Sequence, residues 1–176
     1  MTHIRAFANL IQKALGDDVK LWVTLNEPVL LAGLGYVVGV RPPQRFGDFR
    51  GAFRALVNMF TAHVAIYKDF KIADPDSTIT IAKSITPSRL KRVNRANQSY
   101  FRRFLNTAVE QAIISPLMSL ADHAINGAYF EMMLSGRLSL LGFEENIEGI
   151  VGSIDVLGFN HYTSIQWDRL VQLIEM

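Results

Sequence analysis

Three short β-branched segments alternate along the chain with three segments of helical period, and that alternation limits the fold more than any single residue does. Ile4, Phe7, Ala8, Leu10, Ile11, Ala14 and Leu15 recur at helical spacing and stop at Gly16-Asp17-Asp18, which predicts a first helix. Val19 to Leu25 is short, β-branched and aromatic, the pattern of a buried strand with Trp22 in its core. The stretch with Gly33, Gly35, Gly39 and Pro42-Pro43 reads as a loop. Apolar positions from Phe49 to Ile72 then recur near a period of 3.6 and predict a long helix, which Asp74-Pro75-Asp76-Ser77 ends. Thr78 to Ala82 is a second strand. Leu105 to Leu134 is helix-rich, with a break at Ser115-Pro116 and a close at Ser135-Gly136. Ile154 to Phe159 is a third strand, and Ile165 to Glu175 a short helical tail.

Helix and strand in strict alternation call for parallel strands with helices packed outside. A chain of 176 residues with 49% apolar content can bury a core of ordinary domain size. None of the strands leads into a G-x-G-x-x-G or Walker pattern, which argues against a dinucleotide or P-loop fold. The chain has no cysteine, so disulfides and cysteine-ligated metals are excluded, and a reducing cytoplasm is the expected setting. No secretory h-region and no apolar run of membrane-spanning length appears in it. A net charge of +2 gives no general pull toward nucleic acid. The acid-free stretch from Ser77 to Val109, with Lys83, Arg89, Lys91, Arg92, Arg95, Arg102 and Arg103, reads as a solvated basic loop and helix start. His3, His63 and His123 sit at unrelated helical spacings, so no metal site and no cofactor is expected.

The strand ends carry the chemistry. The first strand finishes in Asn26-Glu27-Pro28, where a carboxylate gains nothing from burial, and the third runs into Asn160-His161-Tyr162-Thr163-Ser164. In a β/α barrel the C-terminal ends of the strands form the active-site face. Asn26 supplies a donor and an acceptor beside the Glu27 carboxyl, and Pro28 stiffens the chain leaving the strand.

Thr24-Leu25-Asn26-Glu27-Pro28 within WVTLNEP resembles the acid/base segment of glycoside hydrolase family 1, the β-glucosidase and β-glycosidase group. FANLIQKALGDDVKLWVTLNEP is similar to that family's helix, Gly-Asp turn and fourth strand. Gly39, Pro42-Pro43 and Ala62-His63 also fall where the family has them. IDVLGFNHYTS resembles its sixth strand, with Asp155, Gly158, Asn160, Tyr162, Thr163 and Ser164 in place and His161 where a tyrosine is usual. NGAYFEMMLSGRL is similar to a stretch after the fifth helix, with Glu131-Met132 in place of Asp-Pro.

The resemblance implies a partial (β/α)8 TIM barrel, a single segment over residues 1–176 that runs from helix three to just past strand six. It implies a retaining β-glycosidase in which Glu27 is the general acid and then the general base. Asn26 would bond the sugar 2-hydroxyl, Asn160 would line the sugar site, and Tyr162 would hold the nucleophile ionised. The family's nucleophile lies in a Glu-Asn-Gly segment on strand seven. The only Glu-Asn pair here, Glu145-Asn146, lies before strand six, is followed by Ile147, and reads as loop. The expectation is therefore a segment inactive by itself, with a β-glycoside as the parent enzyme's substrate. The alternative is a non-catalytic truncated barrel that self-associates, or takes up a complementing barrel segment, through open sheet edges.

Overall fold

A computed structural model describes residues 2–85, 88–89, 100, 112, 115–161 and 165–166. Its helices are α1 (Thr2–Leu15), α2 (Pro28–Ala32), α3 (Phe49–Ala73), α4 (Ser115–Asp122) and α5 (Ala128–Ser135). Its strands are β1 (Leu21–Asn26), β2 (Thr78–Ile85), β3 (Ser88–Arg89), β4 (Arg137–Leu140), β5 (Phe143–Asn146), β6 (Gly158–His161) and β7 (Ile165–Gln166). β1, β2 and β6 form one parallel sheet with β2 in the middle, as the alternation of elements requires. Two-residue β3 and β7 also pair in parallel. Among the described residues no helix is long and apolar enough to cross a membrane.

The sheet packs against α3, whose apolar stripe includes Phe53, Leu56, Phe60, Ile66 and Phe70, all buried. Asp48 caps the helix by accepting the Gly51 N–H at 2.7 Å, so one of its unpaired amides is satisfied. Leu25 and Ile81 join Phe53, Phe60, Tyr129, Met132 and Ile150 in the main core, while Ile79 packs with Ile66 and Phe70 below it. α1 lies on the outside of α3, where the Arg5 guanidinium forks onto both oxygens of Asp69 at 2.6 Å.

Strand pairing contains one irregularity. Val23 faces Thr80 but Leu25 faces Ile81, so Thr24 is an extra residue in β1. Such a bulge reverses side-chain parity beyond it. On the other side of β2, Gly158 permits close approach of β6, because a Cβ there would stand 2.9 Å from the Ile81 carbonyl. Asp155, just before β6, ties three elements together. Its carboxylate accepts from the Ile79 N–H at 2.8 Å and the Tyr67 hydroxyl at 3.0 Å, and pairs with Lys71 at 3.0 Å.

Several expectations are corrected. The Gly-rich stretch is not loop throughout: Pro28 opens α2, and Gly33–Val37 continues it as a π-helical turn, in which Gly35 lies against Pro42-Pro43. β1 is an outer strand with Leu21 and Val23 exposed, and Trp22 is half-buried against Phe70. Glu145-Asn146 belongs to β5, the second arm of an antiparallel hairpin turned at Leu141-Gly142, both at positive φ. The third strand begins at Gly158, since Asp155 and Val156 spend their polar groups on Ile79 and Thr80. Ser115-Pro116 lies at the start of α4, and the residues just before it lie outside the described residues. The helical tail, apart from β7, and most of the basic stretch lie outside the described residues.

His63 of α3 is fully buried between sheet and helices. Its Nε2 meets the Ser153 carbonyl at 2.8 Å and its Nδ1 meets the Thr24 hydroxyl at 2.6 Å. A carbonyl only accepts, so Nε2 carries the proton and Nδ1 accepts from Thr24. Burial pushes this imidazole down to about 4, against the opposing effect of the Ser153 bond. With an unfolded value near 6.5, the contribution of the neutral ring is complete above that pH and is lost as pH falls toward 4. The loss amounts to about 3 kcal/mol. Urea midpoints measured from pH 7 to pH 4 should fall accordingly, and His63→Gln should flatten that fall. An unchanged slope in the variant would mean that another group titrates.

Candidate active site

β1 ends where the backbone turns a corner. The Glu27 N–H donates to the Ala82 carbonyl at 2.7 Å and so extends the β1–β2 ladder by one bond. Its own carbonyl then accepts from Leu31 N–H at 2.9 Å, the first bond of α2. Between these two bonds Glu27 adopts φ 52°, ψ 51°, a left-handed conformation that costs a side-chain-bearing residue roughly 1–2 kcal/mol. Pro28 is buried at the start of α2, where its missing N–H is no loss. The strand-to-helix corner thus aims the Glu27 side chain along a direction that neither strand nor helix geometry alone would give.

The carboxylate is half-buried and meets a partner from far along the chain. Asn160 on β6 donates from Nδ2 to Glu27 Oε1 at 2.9 Å and to Asn26 Oδ1 at 2.9 Å. Register explains the meeting. Asn26 pairs with Ala82, and Asn160 pairs with Ser84, two residues further along β2. Period-two alternation therefore puts Asn26 and Asn160 on the same sheet face, the one opposite Leu25 and Ile81. Three of the four site residues expected from the sequence, Asn26, Glu27 and Asn160, come together here; Tyr162 lies outside the described residues. Glu145 stands instead in the β4–β5 hairpin.

Lys83, read above as part of a solvated basic loop, is 1% exposed. β2 continues past Ala82, so Lys83 shares phase with Ile79 and Ile81 and is drawn into the layer between sheet and helices. Burial pushes its amine down to about 8, while the negative charges of Glu27 and Asp122 oppose that shift. The alternation of Ile79, Ile81, Lys83 and Ile85 was the available signal, and charge composition concealed it.

The chemistry within reach of these groups is proton transfer at a carboxyl flanked by amides able to bond a polyhydroxylated ligand. The model of glycosyl hydrolase family 1 matches residues 1–172. β-Glucosidase A of Thermotoga maritima is 27% identical over 162 residues, 89% of this chain and 34% of the relative. Coniferin β-glucosidase of Pinus contorta is 27% identical over 181 residues, 94% of this chain and 34% of the relative. Among solved structures, a β-glucosidase from Exiguobacterium marinum superposes with a TM-score of 0.70 at 23% identity, covering 94% of this chain and 37% of that one. The T. maritima β-glucosidase bound to azafagomine gives 0.67 at 25% identity, covering 93% and 35%. The chain spans about a third of the length of the curated relatives it matches. With a family match over nearly all of its residues and a parallel sheet that superposes on TIM-barrel enzymes of that family, this chain belongs to glycosyl hydrolase family 1.

Proposed function

We propose that the chain carries the proton-transferring half of a retaining β-glycosidase site. The observation that carries this reading is Glu27 itself, held at a strained strand-to-helix corner with Asn160 on one carboxyl oxygen. Left-handed backbone at a non-glycine residue persists where its surroundings over-determine it, and such residues cluster at active sites. In this role Glu27 protonates the departing glycosidic oxygen and then removes a proton from the attacking water. Asn26 bonds the sugar 2-hydroxyl, with Asn160 positioning both side chains and Tyr162 serving the nucleophile.

Retention also needs a second carboxylate about 5–5.5 Å from the first. The family resemblance assigns that nucleophile to a strand-seven segment this sequence does not contain, so the chain alone is read as inactive on β-glycosides. A second reading rests on the outer strands. Leu21 and Val23 of β1 are 60% and 52% exposed, and Phe159 of β6 is 49% exposed. Among the described residues β1 and β6 are the outer strands of the sheet, and outer strands with apolar side chains favour pairing with another chain, either a complementing barrel segment or a second copy.

Four measurements test these readings. Alone, the chain should hydrolyse an aryl β-glucoside no faster than its Glu27→Gln variant. Joined to a segment that supplies the nucleophile, Glu27→Gln should lower kcat/KM for a poorly departing alcohol by about 10²–10⁴-fold, and far less for an activated phenol. Equal losses on both substrates would remove the acid role. Glu27→Gly should raise stability by about 1 kcal/mol by relieving the left-handed backbone, whereas a loss above about 2 kcal/mol would make the side chain structural. Sedimentation across a hundredfold range of concentration should show self-association, and a persistent monomer would discard pairing with a second copy.

A further inference from the structure

The buried lysine faces away from the glycoside site and into a separate space. Lys83 lies in phase with Ile79 and Ile81, on the face turned to α3, while Asn26 and Asn160 occupy the other face. On the lysine's side is a cavity of about 430 Å³ lined mainly by apolar residues such as Leu34, Phe53, Leu56 and Ile125, with Lys83 and Ser84 in its wall. It reaches the surface, because its rim includes Leu30, Val38, Phe49 and Leu141, all 40% exposed or more. The Lys83 ammonium donates to the Ser84 carbonyl, and among the described residues no carboxylate forms an ion pair with it. Glu27 and Asp122 act on it only through their fields.

A lysine held in an apolar pocket without a paired carboxylate has its neutral, nucleophilic form favoured by desolvation. We propose that Lys83 is a reactive amine that captures small apolar aldehydes and ketones in this cavity as a reversible imine. This assignment is independent of the glycosidase reading, since neither Asn26 nor Asn160 takes part. The ammonium first loses a proton to solvent. The nitrogen lone pair then forms the C–N bond at the carbonyl carbon, and the π pair moves to oxygen, which is protonated. The nitrogen sheds a second proton to give the carbinolamine, whose hydroxyl takes up a proton and departs as water as the C=N bond forms, and the resulting iminium loses the last nitrogen proton to give the imine. Amine plus carbonyl gives imine plus water, with no change of oxidation state. The lining selects against polar carbonyl compounds, whose hydroxyls would be stranded against Leu34, Phe53 and Leu56.

Reductive trapping tests the assignment on the whole chain. The protein is incubated at pH 7 with hexanal and sodium cyanoborohydride, and alkylation of each of its six lysines is followed by peptide mass spectrometry. An amine titrating near 8 is about 10% neutral at that pH, against less than about 0.1% for an ordinary lysine. Lys83 should therefore be modified at least about tenfold faster than Lys13 or Lys68, and excess hexanol should slow it selectively. Glyceraldehyde should show no preference for Lys83, and Lys83→Met should abolish the fast phase. Modification of Lys83 no faster than of Lys13, or the same lysine order with hexanal and glyceraldehyde, would overturn the proposal. The ranking of lysines within the unaltered protein decides the matter even if Lys83→Met fails to fold.

Discussion

Backbone pairing on both sides of β2 is the constraint from which the rest of the molecule follows. β1 and β6 share no backbone ladder; each pairs with the central strand, and they meet only through side chains at their C-terminal ends. Because both pairings are parallel, all three strands finish at the same end, and polar residues 133 positions apart in the chain come within 2.9 Å. The Asp155 carboxylate reinforces the arrangement by bonding the β2 backbone at Ile79 while holding Tyr67 and Lys71 of α3. Its own burial opposes ionisation, but the bonds from Ile79, Lys71 and Tyr67 together hold it below the usual carboxylate range.

The two faces of β2 serve different chemistry. One presents Ala82 and Ser84 beneath the Asn26–Glu27–Asn160 group, and the other carries Ile79, Ile81 and Lys83 into the packing against α3. A single strand thus supplies the floor of one site and part of the wall of an apolar cavity, with Ser84 next to both. Glu27 influences both, as a hydrogen-bonded carboxylate on its own side and as a negative charge felt by the Lys83 amine.

How much of this could be read from the residues depended on whether local pattern or distant packing decided each element. The periods of α1 and α3 and the β-branched run of β2 are strong local signals, and their structures follow them. Glu27 was conspicuous because a carboxylate at a strand end needs a reason. Other features were hidden by tertiary context. Gly33 and Gly35 signal a loop locally, yet Gly35 is small so that its helical turn can lie against Pro42-Pro43. The Leu141-Gly142 hairpin lacks the Asn or Asp that usually announces such a turn. Lys83 looked solvated as long as charge was weighed without strand phase.

The extra residue at Thr24 has a consequence for how such a site tolerates change. If Thr24 instead paired regularly with Ile81, Leu25 would stand opposite Ala82 and Asn26 would turn toward the helices, leaving a leucine on the polar face. Whether Thr24 bulges out of the ladder therefore matters more to the position of Asn26 than the identity of the residues upstream. Exposed Leu21 and Val23 are open to substitution, and deletion of Thr24 would leave a regular strand with Leu25 still opposite Ile81 and Asn26 still opposite Ala82. What the shorter strand would lose is the hydroxyl that meets His63 Nδ1.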